Sequence, residues 1–226
     1  MLFGILYTVF IKFMKVSYGV PHSAVYLLLG IILWSFFNEM TAQSLSSIVA
    51  RGDLIRKIRI PRWIIIFSSS VSALINLLLN LVVVAIFMVI NKVDVMQTVL
   101  LLPLLILEIY VLALGFSLFL SAAFVKFRDV GYIWEVITQA GFYLTPILYP
   151  LHQITNVTFQ KIIMLNPMAQ AIQDARYALV THQTPTVWYF FDKGWYAYLP
   201  FAVVIVVFIT GLTYFRSQSR SFAENI

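Results

Sequence analysis

This 226-residue chain has no cysteine and little charge. Without a thiol there can be no disulfide, no thiolate zinc site and no cysteine nucleophile. Charged residues make up 11% of the chain, against about 25% in an ordinary soluble domain. No G-x-x-x-x-G-K stretch followed by Ser or Thr occurs, so no P-loop for ATP is present. H-E-x-x-H and G-x-S-x-G are missing as well. His22, His152 and His182 stand alone, at no metal-ligand spacing. Asn156-Val157-Thr158 matches a glycosylation acceptor, a three-residue pattern that is common by chance. The opening MLFGILYTVF lacks the basic n-region and small-residue cleavage site of a signal peptide; it reads as a helix entered partway along.

What the chain has is hydrocarbon. Hydrophobic residues make up 62% of it, and the mean hydropathy is +0.93. A bilayer crossing takes about 20 residues of helix. Residues 64–90 are uncharged, 95–125 hold one charge, Glu108, and 199–215 form a shorter apolar run. Val, Ile and Phe dominate these runs, which in water would hint at strands; here run length overrides propensity. The expected fold is an all-α membrane protein in one domain, 1–226, with spans near 1–13, 23–48, 64–90, 97–125, 131–146 and 197–215. Six such helices leave no room for a soluble catalytic domain.

The net charge of +6 has a simple cause in the positive-inside bias, so nucleic acid is not an expected partner. Residues 51–62 carry five basic residues, 126–130 carry Lys126 and Arg128, and the tail carries Arg216 and Arg220. Opposite them stand Lys12, Lys15, Lys92, Lys161, Arg176 and Lys193, half of them in one long connection, which counts least. Loop 51–62, loop 126–130 and both termini are therefore expected in the cytoplasm.

The segment 147–196 is long for a membrane connection, yet structured in pattern. LNPMAQAIQDARYALV has Asn166 as a helix cap and Pro167 in the first turn. Met168, Ile172, Ala175 and Leu179 then share a face. Pro146 and Pro150 sit where the fifth span should end. From Gly131 to Pro146 a helix rises roughly 24 Å, short of the ~30 Å core. That span is expected to stop in the outer leaflet, followed by short, partly inserted helices that form an outer gate. The alternative is a surface loop whose amphipathic helix lies on headgroups.

Three carboxylates fall in or beside spans. Glu39 and Glu108 lie near the middle of theirs, and Glu135 near a cytoplasmic end. A central acid should face the bundle interior or a wet cavity. Glu39, Gln43, Ser46 and Ser47 form a stripe suited either to a conduit or to bonding two helices. Glu108 has no polar neighbour in sequence but Tyr110, which suits a protonated helix–helix bond. Trp34, Phe36, Phe37, Tyr132, Trp134, Phe142, Tyr143 and Tyr149 gather toward span ends, as an interfacial belt or as a stacking lane for sugar rings.

The stretch RGDLIRKIRIPRW holds more positive charge than sidedness requires. Asp53 suits a helix start, Leu54, Ile55, Ile58 and Ile60 alternate with Arg56, Lys57 and Arg59, and Pro61 ends the run. A short amphipathic helix at 51–62 wants a partner, either a lipid surface or a cytosolic protein.

SLSSIVARGDLIRKIRIPRWIIIFSSSVSALINLLLNL resembles the second-to-third-span region of ABC-2 type transporter permeases, in the branch exporting O-antigen, capsular polysaccharide or teichoic acid. VKFRDVGYIWEVITQAGFYLTPILYP resembles that family's cytoplasmic turn and fifth span, and LNPMAQAIQDARYALV its external re-entrant helices. The resemblance implies that loop 51–62 is a coupling helix, with Arg51, Asp53, Arg56, Lys57 and Arg59 docking on a separate ATP-binding-cassette subunit. It implies a permease homodimer with two such subunits, which alone bind ATP and Mg. Trp34, Phe37, Glu39, Tyr132, Trp134, Phe142, Tyr143 and Tyr149 would line the path of a lipid-linked glycan. Pro146, Pro150, Asn166 and Pro167 would form the external gate, and Arg128 and Asp129 the cytoplasmic mouth or a second ATPase contact. The chain itself would carry no catalytic residue, cofactor or metal, and would sit in a bacterial plasma membrane. Family members usually open with a basic, aromatic interfacial helix, which this sequence does not show. Drug or lipid export within the family, an ion-coupled secondary transporter using Glu39 and Glu108, and a membrane enzyme acting on lipid-linked sugars are the rival readings.

Overall fold

The computed structural model describes residues 20–51, 61, 63–94, 97–192 and 194–219. All regular structure among these is helical. In lipid this is forced, because backbone groups with no water partner must bond within their own segment. The helices are α1 Ser23–Ala50, α2 Trp63–Ile90, α3 Leu102–Lys126, α4 Val130–Leu144, α5 Val157–Met164, α6 Pro167–Leu179, α7 Val187–Phe191 and α8 Leu199–Gln218. Short 3₁₀ turns at Gln97–Leu101, Leu151–Gln153 and Trp195–Tyr198 lead into or link them. Proline stands in the first turn of α3, α6 and α8, where its missing N–H breaks no bond.

Four helices among the described residues are long and apolar enough to cross a membrane: α1, α2, α3 with its leading 3₁₀ turn, and α8 with its own. Of the six spans expected, these are the second, third, fourth and sixth. Residues 1–13 lie outside the described residues. The expected fifth span is α4, whose 15 residues rise only about 22 Å. It is too short to cross a ~30 Å core alone.

The least apolar of the four spans, α1, is the most buried. It packs between α2 and α3, and α8 packs on α3. The outward faces of α2 and α8, with Ile75, Leu79, Val82, Ile86, Ile205 and Val206, are exposed hydrocarbon. This inversion suits a solvent of lipid tails, where close packing and hydrogen bonds, not oiliness, hold helices together. The α3–α8 contact shows the first means. A Cβ placed on Gly211 would overlap the Gly115 carbonyl, so two glycines let the backbones touch.

Ile48, Ile66, Val125 and Phe215 share one apolar cluster. The C-terminal ends of α1, α3 and α8 therefore meet the start of α2 at one end of the bundle. At the other end α6 is enclosed on nearly all sides, with Met168, Ile172, Ala175 and Leu179 buried as the pattern requires. Gln170, Gln173 and Arg176 on its remaining faces are fully buried too. A helix so enclosed does not lie on the surface.

Candidate translocation site

The site begins on α1. Ser35, Asn38, Ala42, Gln43 and Ser46 are exposed along one arc of this otherwise buried helix, with Glu39 half-buried beside them. On α2, Ser68, Ser72 and Asn76 form a second exposed polar line at helical spacing. The two are bonded together: Asn76 Nδ2 donates to Glu39 Oε1 at 2.5 Å, and Gln43 Nε2 donates to the same oxygen at 2.8 Å. Of the two roles read from sequence for this stripe, the helix–helix bond is present at Glu39, while Gln43 and Ser46 stay exposed. Ser47 leaves it, turning its hydroxyl to the Ser44 carbonyl at 2.7 Å in the protein interior.

The aromatic residues divide into two groups. Trp34, Phe37 and Trp134 are buried, with Phe142 and Phe116 packed among them. The Phe37–Phe116 and Phe116–Trp134 ring centroids are 5.8 and 5.2 Å apart, and Trp34 meets Phe142 edge-on at 6.2 Å. The Trp134 indole donates to Thr41 Oγ1 at 3.1 Å. These rings weld α4 to α1 and α3, so Trp34, Phe37, Trp134 and Phe142 are neither a belt at the span ends nor an open wall. Tyr132 and Tyr143 behave differently. They are 75% and 69% exposed, eleven positions apart and so on one face, with Glu135, Val136 and Gln139 between them. Gln139 leans toward Glu135 at 3.4 Å. This mixed aromatic and polar stripe, backed by the buried rings, can stack on a sugar's C–H face while bonding its hydroxyls.

At the end of α4 the chain leaves helical geometry. Thr145, Pro146, Ile147 and Pro150 are all buried. Tyr149 belongs to this turn and not to the wall, since its hydroxyl donates back to the carbonyls of Tyr143 and Leu144 at 3.1 and 3.4 Å. Burial raises its phenol pKa. Asn166 caps α6, its Oδ1 accepting the Met168 N–H at 3.0 Å, and Pro167 follows as the first helical residue.

Sequence reasoning missed the polar residues of α6. Arg176, counted there as an external loop charge, is completely buried. Its guanidinium donates to the carbonyls of Tyr26, Pro146 and Ile147 at 3.0, 2.6 and 2.8 Å, and lies 3.8 Å from the centre of the Tyr26 ring. The Tyr26 hydroxyl donates to Gln173 Oε1 at 3.2 Å. Glu108 in α3 does find a partner: Gln170 Nε2 approaches its Oε2 at 3.5 Å, and the same nitrogen donates to Asp174 Oδ2 at 2.7 Å. Gln170 lies sixty-two positions away in sequence, beyond the reach of any local pattern.

At the opposite end Arg51 is exposed, its guanidinium 3.4 Å from the Ile65 carbonyl at the start of α2. Asp53, Arg56, Lys57 and Arg59 lie outside the described residues. Lys126, Arg128 and Asp129 are exposed where α3 turns into α4, with Arg128 5.3 Å from the Phe124 ring centre. With Arg216 of α8 these cations gather at a single end of the bundle. Among the described residues no group of three or more His, Cys, Asp or Glu could hold a metal.

A family model described as ABC-2 type transporter matches residues 1–180. The chain belongs to the ABC-2 type transporter family. It is a multi-pass membrane permease, the transmembrane and non-catalytic kind of subunit. It is 25% identical over 209 residues to an O-antigen export system permease protein RfbA of Myxococcus xanthus, covering 92% of this chain and 78% of that one. A protein of the same description from Klebsiella pneumoniae is 27% identical over 225 residues, covering 97% and 81%. A second from that organism is 27% identical over 169 residues, covering 74% and 64%. This ABC-2 permease carries exposed polar faces on α1, α2 and α4, beside the exposed hydrocarbon of α2 and α8.

Proposed function

We propose that this permease is the membrane subunit of an ATP-driven exporter moving a lipid-linked polysaccharide or polyol, of O-antigen, capsule or teichoic acid type, across the bacterial plasma membrane. Two copies pair, each served by a cytosolic ATP-binding-cassette subunit that holds ATP and Mg. The conduit runs along the polar arcs of α1 and α2 and the Tyr132–Tyr143 face of α4. The observation that carries this reading is that face: an exposed stripe of Tyr, Glu and Gln on a helix of a membrane bundle. Lipid would not tolerate such a stripe, and a hydrated glycan would. The similarity to O-antigen export permeases favours a glycan over a drug or a free lipid.

The basic end supports the docking side. The turns after α1 and α3 and the end of α8 share it, which suits a cytoplasmic face with a cytoplasmic C-terminus. Loop 51–62 then acts as the coupling helix, and the turn Thr145–Pro150 with Asn166 and Pro167 forms the external gate, built on helices partly inserted from outside. An ion-coupled mechanism through Glu39 and Glu108 is less well supported, because each is bonded to its own partner, Asn76 and Gln170 respectively.

The decisive experiment replaces Arg56, Lys57 and Arg59 together with Glu. The variant should insert at normal levels, fail to co-purify an ATP-binding-cassette protein from detergent, and export nothing. Unchanged export would refute docking through this loop.

A further inference from the structure

We propose that Arg176 is a positioning residue that locks the outer gate, and that Gly30 is the opening in α1 that admits it. What the gate serves rests on the export reading above; the lock rests on geometry.

Beyond the end of α4, the carbonyls of Pro146 and Ile147 belong to a turn with no helical ladder to pair them. Proline at 146 removes one N–H that could have helped, and the turn is buried away from water. Non-helical backbone at such a place survives only when protein supplies donors. A guanidinium is suited to this, with five N–H groups in a rigid fan. Arg176 uses three separate nitrogens: Nη1 on Pro146, Nη2 on Ile147 and Nε on Tyr26. One side chain thereby ties together α6, the turn after α4 and the first turn of α1. Those carbonyls lie 30, 29 and 150 positions away from Arg176 in sequence.

Gly30 explains how the charge gets in. A Cβ built on it would collide with Arg176 Nη2 and stand 3.1 Å from Cζ, so any larger residue pushes the guanidinium off its carbonyls. The Tyr26 ring covers one face of the guanidinium at 3.8 Å and its hydroxyl holds Gln173, the residue three before Arg176. Lysine cannot replace this fan. Its point charge cannot reach three carbonyls held in different directions.

The test uses the chain's lack of cysteine. Thr145→Cys places a single thiol at a fully buried position beside the locked carbonyls. In membranes containing the full chain, its reaction with a permeant maleimide should be slow. Adding Arg176→Lys, or separately Gly30→Ala, should speed it by about tenfold or more as the turn opens. Gly30→Ala combined with Arg176→Ala should react no faster than Arg176→Ala alone, since both act through one contact. An unchanged labelling rate with Arg176→Lys, or additive acceleration in the double variant, would overturn the lock. If Arg176 variants fail to accumulate, Gly30→Ala decides by the same rate. In the assembled exporter, Arg176→Lys should keep ATP hydrolysis near wild type while glycan export drops severalfold. Fast labelling with undiminished export would overturn the gating role and leave the export reading standing.

Discussion

Glu39 of α1 and Asn76 of α2, thirty-seven positions apart, share a 2.5 Å hydrogen bond at the edge of the polar arc. A carboxylate here serves as an acceptor for Asn76 and Gln43, and a glutamine oxygen can do the same. Glu39→Gln should therefore change glycan export by less than about twofold at any pH, whereas Glu39→Leu removes both bonds from exposed donors that can turn to water and should cost about 0.5–1.5 kcal/mol. Export assays across pH and melting curves in detergent read the two effects. Complete loss of export in Glu39→Gln at every pH would revive ion coupling.

The aromatic residues should separate by assay. Trp134→Ala removes a buried ring and the Thr41 bond, a change of about 3–5 kcal/mol, so protein level and export should fall together. Tyr143→Ala and Tyr132→Ala touch exposed rings. They should leave protein level intact and lower export by about twofold to tenfold, the worth of an aromatic contact. Equal losses of level and export at Tyr143 would make it a packing residue.

The α3–α8 contact should be intolerant of a methyl group. Gly211→Ala forces the helices apart against the Gly115 carbonyl and should cost about 1–3 kcal/mol, read as a lowered melting temperature. Gly131→Ala is the control. Its Cβ would meet only side-chain ends, Phe124 at 3.3 Å and Leu45 at 3.6 Å, and the melting temperature should barely move.

Asp174 should make stability depend on pH in a defined direction. Burial pushes its carboxyl up to about 6, against lowering by bonds from Gln170 and the Val187 backbone. The folded state then binds a proton that the unfolded chain, at its ordinary value of 3.8, has already released. Stability contributed by that proton is complete below the unfolded value and is lost as pH rises toward about 6. The wild-type melting temperature should fall across this window relative to Asp174→Asn. Parallel curves for the two proteins would contradict the assignment.

Much of this molecule could be read along the chain. Apolar runs with almost no charge determine that residues 63–90, 102–126 and 199–218 are helices facing lipid, because nothing else satisfies their backbone there. The cap at Asn166, the proline after it and the shortness of α4 were equally plain, since capping and helix rise are local quantities. Tertiary structure alone decided which polar residues meet. Arg176 reads as a loop charge until Gly30 and the Pro146 turn close around it, and Glu108 looks solitary until α6 brings Gln170 and Asp174. It also decided that Trp34 and Trp134 pack inward while Tyr132 and Tyr143 point out. The reason is physical: hydropathy is summed over a segment and survives in one dimension, whereas a buried hydrogen bond depends on where two distant segments place single atoms.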